Sequence, residues 1–108
     1  MSAAVVRVGM VEIDLALGQV RSNGRRVRTT ASEFKLLEAL SSIPGRVFTR
    51  TELAERAFGH GYEGLERTID VHVKNLRRKL NPDRASRTST IATVFGTGYQ
   101  LEIDARAD

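Results

Sequence analysis

From Arg67 to Leu80 the chain writes a helix with two opposed faces, and that segment constrains the fold more than any other. At about 100° per residue, Ile69, Val73, Leu76 and Leu80 form one narrow apolar stripe that must be covered by a core. Arg67, Val71, Lys74, Asn75 and Arg78 project almost opposite, so they face away from that core. The charge agrees with this division. Residues 65 to 88 carry seven basic side chains against three acidic, a net +4 equal to the formal charge of the whole chain. The rest cancels, ten basic against ten acidic, so the excess positive charge is local. A localised basic face is the electrostatic footprint of a phosphate-rich partner.

The 108 residues suit a single domain, and a chain of this size buries roughly 60 to 70% of its unfolded surface. Hydrophobic content of 41% with 28% charged residues belongs to a globular protein and not to a wholly disordered one. Cysteine is absent, which excludes disulfide frameworks, thiolate nucleophiles and cysteine-based metal sites. His60 and His72 do not pair at metal-ligand spacing, so no cofactor or metal is expected. Met1 to Val6 is too short for a signal peptide, and no run reaches the roughly 18 apolar residues of a membrane span. The expectation is a cytoplasmic protein that does not engage the membrane.

Upstream of the helix, Val6 and Val8, then Val11, Ile13, Leu15 and Leu17, alternate with mostly polar, charged or small neighbours at period two, which predicts short strands with one buried face. Asn23-Gly24 is a two-residue hairpin signal, because both positions of a type I′ turn need positive φ. Up to four antiparallel strands are expected over residues 5 to 28. Thr30-Ala31-Ser32-Glu33 has the spacing of a capping box, so a first helix begins there, buries Phe34, Leu36, Leu37 and Leu40, and stops at Pro44-Gly45. Thr49-Arg50-Thr51-Glu52 repeats the signal for a shorter helix with Leu53, Ala54, Ala57 and Phe58 inside, ended by Gly59 and Gly61. After Asn81-Pro82 a polar, basic stretch leads to Ile91–Val94, the turn Phe95-Gly96-Thr97-Gly98, and Tyr99–Ile103, a terminal β-hairpin. The fold class is therefore α+β: a winged helix-turn-helix with an N-terminal antiparallel sheet, three helices and a hairpin wing. Residues 1–104 make the domain, and 105–108 are an expected frayed tail.

Three stretches make the chain resemble a specific family, the OmpR/PhoB-type DNA-binding domain of bacterial two-component response regulators. They are Thr30-Ala31-Ser32-Glu33-Phe34-Lys35-Leu36-Leu37 with Pro44-Gly45-Arg46-Val47-Phe48-Thr49-Arg50, then Glu66-Arg67-Thr68-Ile69-Asp70-Val71-His72-Val73, then Thr93-Val94-Phe95-Gly96-Thr97-Gly98-Tyr99. The resemblance implies sequence-specific binding of double-stranded DNA in transcription control, with the third helix in the major groove and the wing at the minor groove or its phosphates. It implies that a receiver domain precedes this domain in the full-length protein and drives pairing on tandem half-sites. Nothing in the chain looks like that receiver, so the chain is expected to be the effector portion alone, monomeric by itself. It further implies that the loop holding Gly59, His60, Gly61, Tyr62, Glu63 and Gly64 touches RNA polymerase. The DNA-contacting candidates are Arg67, Thr68, Val71, His72, Lys74, Asn75, Arg78, Thr93, Thr97 and Tyr99. Two positions depart from the family's habit: Phe95 stands where the wing turn often has Arg, and Asn75 where relatives carry a basic residue.

Each candidate has a plainer alternative. Arg67, Lys74 and Arg78 could be a solvated face with intermittent ion pairs, although Asp70, the one acid between Arg67 and Leu80, can reach Arg67 or Lys74 but cannot neutralise both. Val71 is either a lone surface valine or a contact for a thymine methyl, and Asn75 either a solvated residue or a bidentate reader of adenine N6 and N7. His72 lies between the faces, as a packed boundary residue or a phosphate contact. Thr93 and Thr97 are ordinary strand and turn residues or hydroxyl donors to phosphate. Gly96-Thr97-Gly98 is a wing turn and not a phosphate-cradling loop, since no Lys-Ser or Lys-Thr follows and no helix opens there. The rival functions are a protein-binding winged helix, presenting Val71 and Tyr62 to an acidic partner, and an RNA binder, for which stacking aromatics are lacking. No nucleophile, base and orienting group form a catalytic set, so no enzyme is expected.

Overall fold

The computed structural model of the chain describes residues 4–59, 66–81 and 90–102, with Glu66 described by its backbone alone. Its first element is a four-stranded antiparallel meander, β1 (Val5–Val8), β2 (Val11–Asp14), β3 (Gln19–Ser22) and β4 (Arg25–Val27), in that spatial order. The register puts Val6, Ile13, Val20 and Val27 in one cross-strand row facing the core. Arg7, Glu12, Arg21 and Arg26 form the neighbouring row on the opposite face, as the period-two alternation requires. Asn23 (φ 53°) and Gly24 (φ 79°) both take the left-handed backbone that the hairpin turn demands.

One strand ends earlier than the alternation predicts. Leu17 does not continue β2: it lies 67% exposed in a turn, where its N–H donates to the Asp14 carboxylate at 2.9 Å. That side-chain bond offers the backbone a local alternative to the ladder, and the chain turns there toward β3.

Three helices follow, α1 (Ala31–Ser41), α2 (Arg50–Phe58) and α3 (Glu66–Leu80). Both expected capping boxes are formed: Thr30 and Glu33 exchange bonds at the start of α1, as do Thr49 and Glu52 at the start of α2. Each satisfies two backbone N–H groups that the first turn leaves without a helical partner. Helix α1 ends at Ser41, just before Pro44-Gly45, and Gly59 caps α2 with φ 88°. The core joins Val11, Ile13 and Val20 of the sheet to Leu36, Leu37 and Leu40 of α1, Leu53 of α2, and Ile69, Val73, Leu76 and Leu80 of α3. The four α3 residues are those of the apolar stripe, and all are buried.

The terminal hairpin is present as β6 (Ile91–Val94) and β7 (Gly98–Leu101), so β7 starts one residue before Tyr99. A strand not expected from the sequence joins it: β5 (Phe48–Thr49) pairs with β7, giving the order β5-β7-β6. Gly98 is what permits this approach. A Cβ built there would overlap the Phe48 carbonyl oxygen, so no other residue fits without backbone movement. The predicted tail, 105–108, lies outside the described residues.

Candidate nucleic-acid interface

Helix α3 is seated by its apolar stripe, and its outward face is left uncovered. Arg67, Val71, Lys74 and Arg78 are exposed, Val71 at 54%, while Thr68, His72 and Asn75 are half-buried along the margins. A β-branched apolar side chain in this position loses helix propensity without gaining burial inside the fold. Arg67, Lys74 and Arg78 form no ion pair with any other described residue.

Local helix spacing misplaces the partners of Asp70. Its carboxylate takes the Arg50 guanidinium at 2.6 Å and the Tyr99 hydroxyl at 2.6 Å. It thereby ties α3 to the start of α2 and to β7, and its charge is answered from outside the helix. Burial raises the Tyr99 phenol above its ordinary pKa, and the hydrogen bond to Asp70 raises it further. The Tyr99 proton is committed to Asp70, so in this arrangement it is not free for a phosphate oxygen, which can only accept.

Two of the bases counted in the positive segment are also spent within the fold. Arg77 donates from Nε and Nη2 to the Ile91 carbonyl at 3.0 and 2.8 Å, and from Nη2 to Thr93 Oγ1 at 2.6 Å. Its guanidinium carbon lies 5.7 Å from the Tyr99 ring centroid. Arg77 is thus a clamp that fixes the wing against α3. Lys79 Nζ meets Glu33 Oε1 at 2.6 Å, and the same oxygen accepts the Thr30 N–H that closes the α1 capping box. Burial pushes the Glu33 carboxyl up, but the Lys79 hydrogen bond and charge, with the Thr30 N–H, outweigh it and hold the group below its usual range.

The wing completes the surface. Thr93 and Thr97 are exposed, and Phe95, at the turn, is 92% exposed. Thr97 N–H closes the turn onto the Val94 carbonyl at 3.0 Å, and Gly96 supplies φ 78°. The two wing glycines therefore do different work, Gly96 by its backbone angle and Gly98 by its missing side chain. His72 packs its ring 5.9 Å from that of Phe58, as a boundary residue does. Of the proposed polymerase loop, Gly59 is the α2 cap, and His60, Gly61, Tyr62, Glu63 and Gly64 lie outside the described residues.

The structure thus places seven candidates on α3 and three on the clamped hairpin. Sequence reasoning passed over Arg50 and Arg77. Arg50 follows an N-cap, which gave a local signal of position but none of its partner on α3, and the inward turn of Arg77 has no local signal at all.

The comparisons with known proteins agree with this geometry. The family described as "Transcriptional regulatory protein, C terminal" matches residues 24–101. The phosphate regulon transcriptional regulatory protein PhoB of Rhizobium meliloti is 43% identical over 100 residues, covering 93% of this chain and 43% of that protein. The chain thus spans less than half the length of this curated relative. Among solved structures, the DNA-binding domain of CpxR from E. coli superposes with a TM-score of 0.78 at 30% identity, covering 94% of this chain and 98% of that one. The DNA-binding domain of RstA from Klebsiella pneumoniae, in complex with RstA box, gives 0.75 at 31% identity over 91% and 96% of the two chains. With a family match over most of its length and a winged-helix fold shared with such domains, the chain belongs to the OmpR/PhoB-type family of transcriptional regulatory C-terminal domains.

Proposed function

We propose that this chain binds double-stranded DNA sequence-specifically to regulate transcription, as the effector domain of a two-component response regulator. Helix α3 enters the major groove, and the wing meets the minor groove or its phosphates. The observation that carries this reading is the α3 outward face: three cations without a described ion partner surround an exposed valine, while Asp70 is engaged by Arg50 and Tyr99. Arg67, Lys74 and Arg78 supply phosphate attraction, which positions the domain without reading sequence. Val71 and Asn75 supply readout, by contact with a thymine methyl and by a bidentate amide pair to adenine.

A receiver domain preceding this one pairs two copies on tandem half-sites, which raises occupancy through effective concentration. The lone domain is expected to be a monomer, which sedimentation without DNA tests: a tight dimer would refute it. Residues 59–64 form a contact for RNA polymerase, and the protein works in the cytoplasm. No catalytic step enters this reading.

The test is to select duplexes from a random pool and titrate binding against salt. With about four to six phosphates neutralised, log affinity falls against log salt with a slope of about −4 to −5. Asn75→Ala costs about 1 to 3 kcal/mol on the selected site and much less on random DNA. A salt-insensitive complex, or equal losses on both duplexes, contradicts the corresponding part of the assignment.

A further inference from the structure

The wing differs from α3 in having no cation. From Thr90 to Leu101 the chain carries no charged residue, and the side chain it presents at the turn is Phe95, 92% exposed. Such exposure is costly for a phenyl ring unless a partner covers it, since full burial of a Phe side chain is worth about 1.5 to 3 kcal/mol. The backbone that carries the ring is held in place. Arg77 binds the Ile91 carbonyl and Thr93, Tyr99 binds Asp70, and Phe95 follows Thr93 by two residues, roughly 7 Å of extended chain. The turn behind it is closed by the bond from Thr97 N–H to the Val94 carbonyl. An apolar side chain on a rigid mount beside a reading helix has the form of a wedge.

We propose that Phe95 is a specificity-determining residue that seats its ring against deoxyribose and the edge of a base step in the minor groove, without neutralising a phosphate. The proposal rests on the DNA-binding reading above and adds to it a division of labour. Helix α3 supplies the salt-dependent attraction, and the wing supplies a salt-independent contact flanked by the hydroxyls of Thr93 and Thr97. A ring that wedges at a step favours sequences that unstack readily, such as TA or CA/TG, over a stiff A-tract. The wing therefore selects DNA by deformability at a position where α3 makes no base contact.

The experiment is fluorescence anisotropy of the chain on its selected duplex at several salt concentrations, comparing wild type, Phe95→Ala and Phe95→Arg. Phe95→Ala is expected to weaken binding about tenfold at every salt concentration, giving a line parallel to wild type. Phe95→Arg steepens the slope by about one, as one further phosphate contact does. Replacing a flexible step under the wing by an A-tract weakens wild type and leaves Phe95→Ala indifferent. Because Phe95 is exposed, thermal melting of all three proteins should coincide, so an altered melt is not the origin of the change. If Phe95→Ala binds as wild type does, or loses affinity only by flattening the salt line, the wedge is overturned while DNA binding stands. If wild type shows no salt-dependent affinity for any duplex, the DNA-binding reading itself fails, and the wedge with it.

Discussion

The two sheets are attached to α3 in different ways. The N-terminal meander closes by successive hairpins and packs Val11, Ile13 and Val20 into the core, and Ser22 Oγ donates to the Leu80 carbonyl at 2.9 Å. The C-terminal sheet needs β5, some 50 residues earlier in the chain, and is held to α3 by the Arg77 guanidinium and the Asp70–Tyr99 bond. One is a support whose parts are local. The other is an assembly whose parts are distant, and it carries the surface offered to a partner. Charged donors cost more to lose than a neutral hydroxyl, so the wing is the more sensitive of the two to single substitutions.

The largest contrast is between two glycines. Gly98→Ala drives a methyl into the Phe48 carbonyl and should cost about 3 kcal/mol or more in denaturant unfolding. Gly24→Ala in the meander meets open space and bears only the strain of φ 79°, about 1 to 2 kcal/mol. Equal losses at the two sites would erase the distinction between the sheets. Next in size, Arg77→Met should lower stability by about 2 to 3 kcal/mol and weaken DNA binding by freeing the wing. Ser22→Ala should cost about 1 kcal/mol and leave DNA affinity unchanged. A folded Arg77→Met protein that binds as wild type does would show that the clamp does not position the wing.

Much of the local architecture was legible in the sequence because its causes are local. Period-two valines, Asn23-Gly24 and the two capping boxes each act within a few residues, and the structure has them all. Helix α3 was equally readable, since its two faces follow from one period. The candidate site was legible only in part. Strand β5 is two residues long and exists because Gly98 admits it. Asp70 looked like a neighbour of Arg67 and Lys74, yet its partners come from α2 and β7, and Arg77, which entered only as one of the seven bases of residues 65 to 88, is turned by the fold onto Ile91. Leu17 kept the strand period but lost the strand, because Asp14 captured its N–H.

The smallest expected effect is read through pH and concerns the supporting side. The Glu33 carboxyl is held below its ordinary pKa against the opposing push of burial, by Lys79 and the Thr30 N–H. Its contribution is therefore complete above the unfolded value of about 4.3 and is lost as pH falls through the lower folded value. Thermal melting from pH 6 downward should show this acid-side loss, and Glu33→Gln should shallow it. An identical acid profile in the variant would place the loss on other carboxylates.

Thr49 is the last residue of β5, paired with Gly98, and also the N-cap of α2, bonded twice to Glu52. No slack lies between the final rung of that small sheet and the first coil of the second helix. A load applied at the hairpin by a bound duplex is thus handed straight to α2, as through the short arm of a lever. Gly59, the cap of that helix, stands at the far end of the same arm.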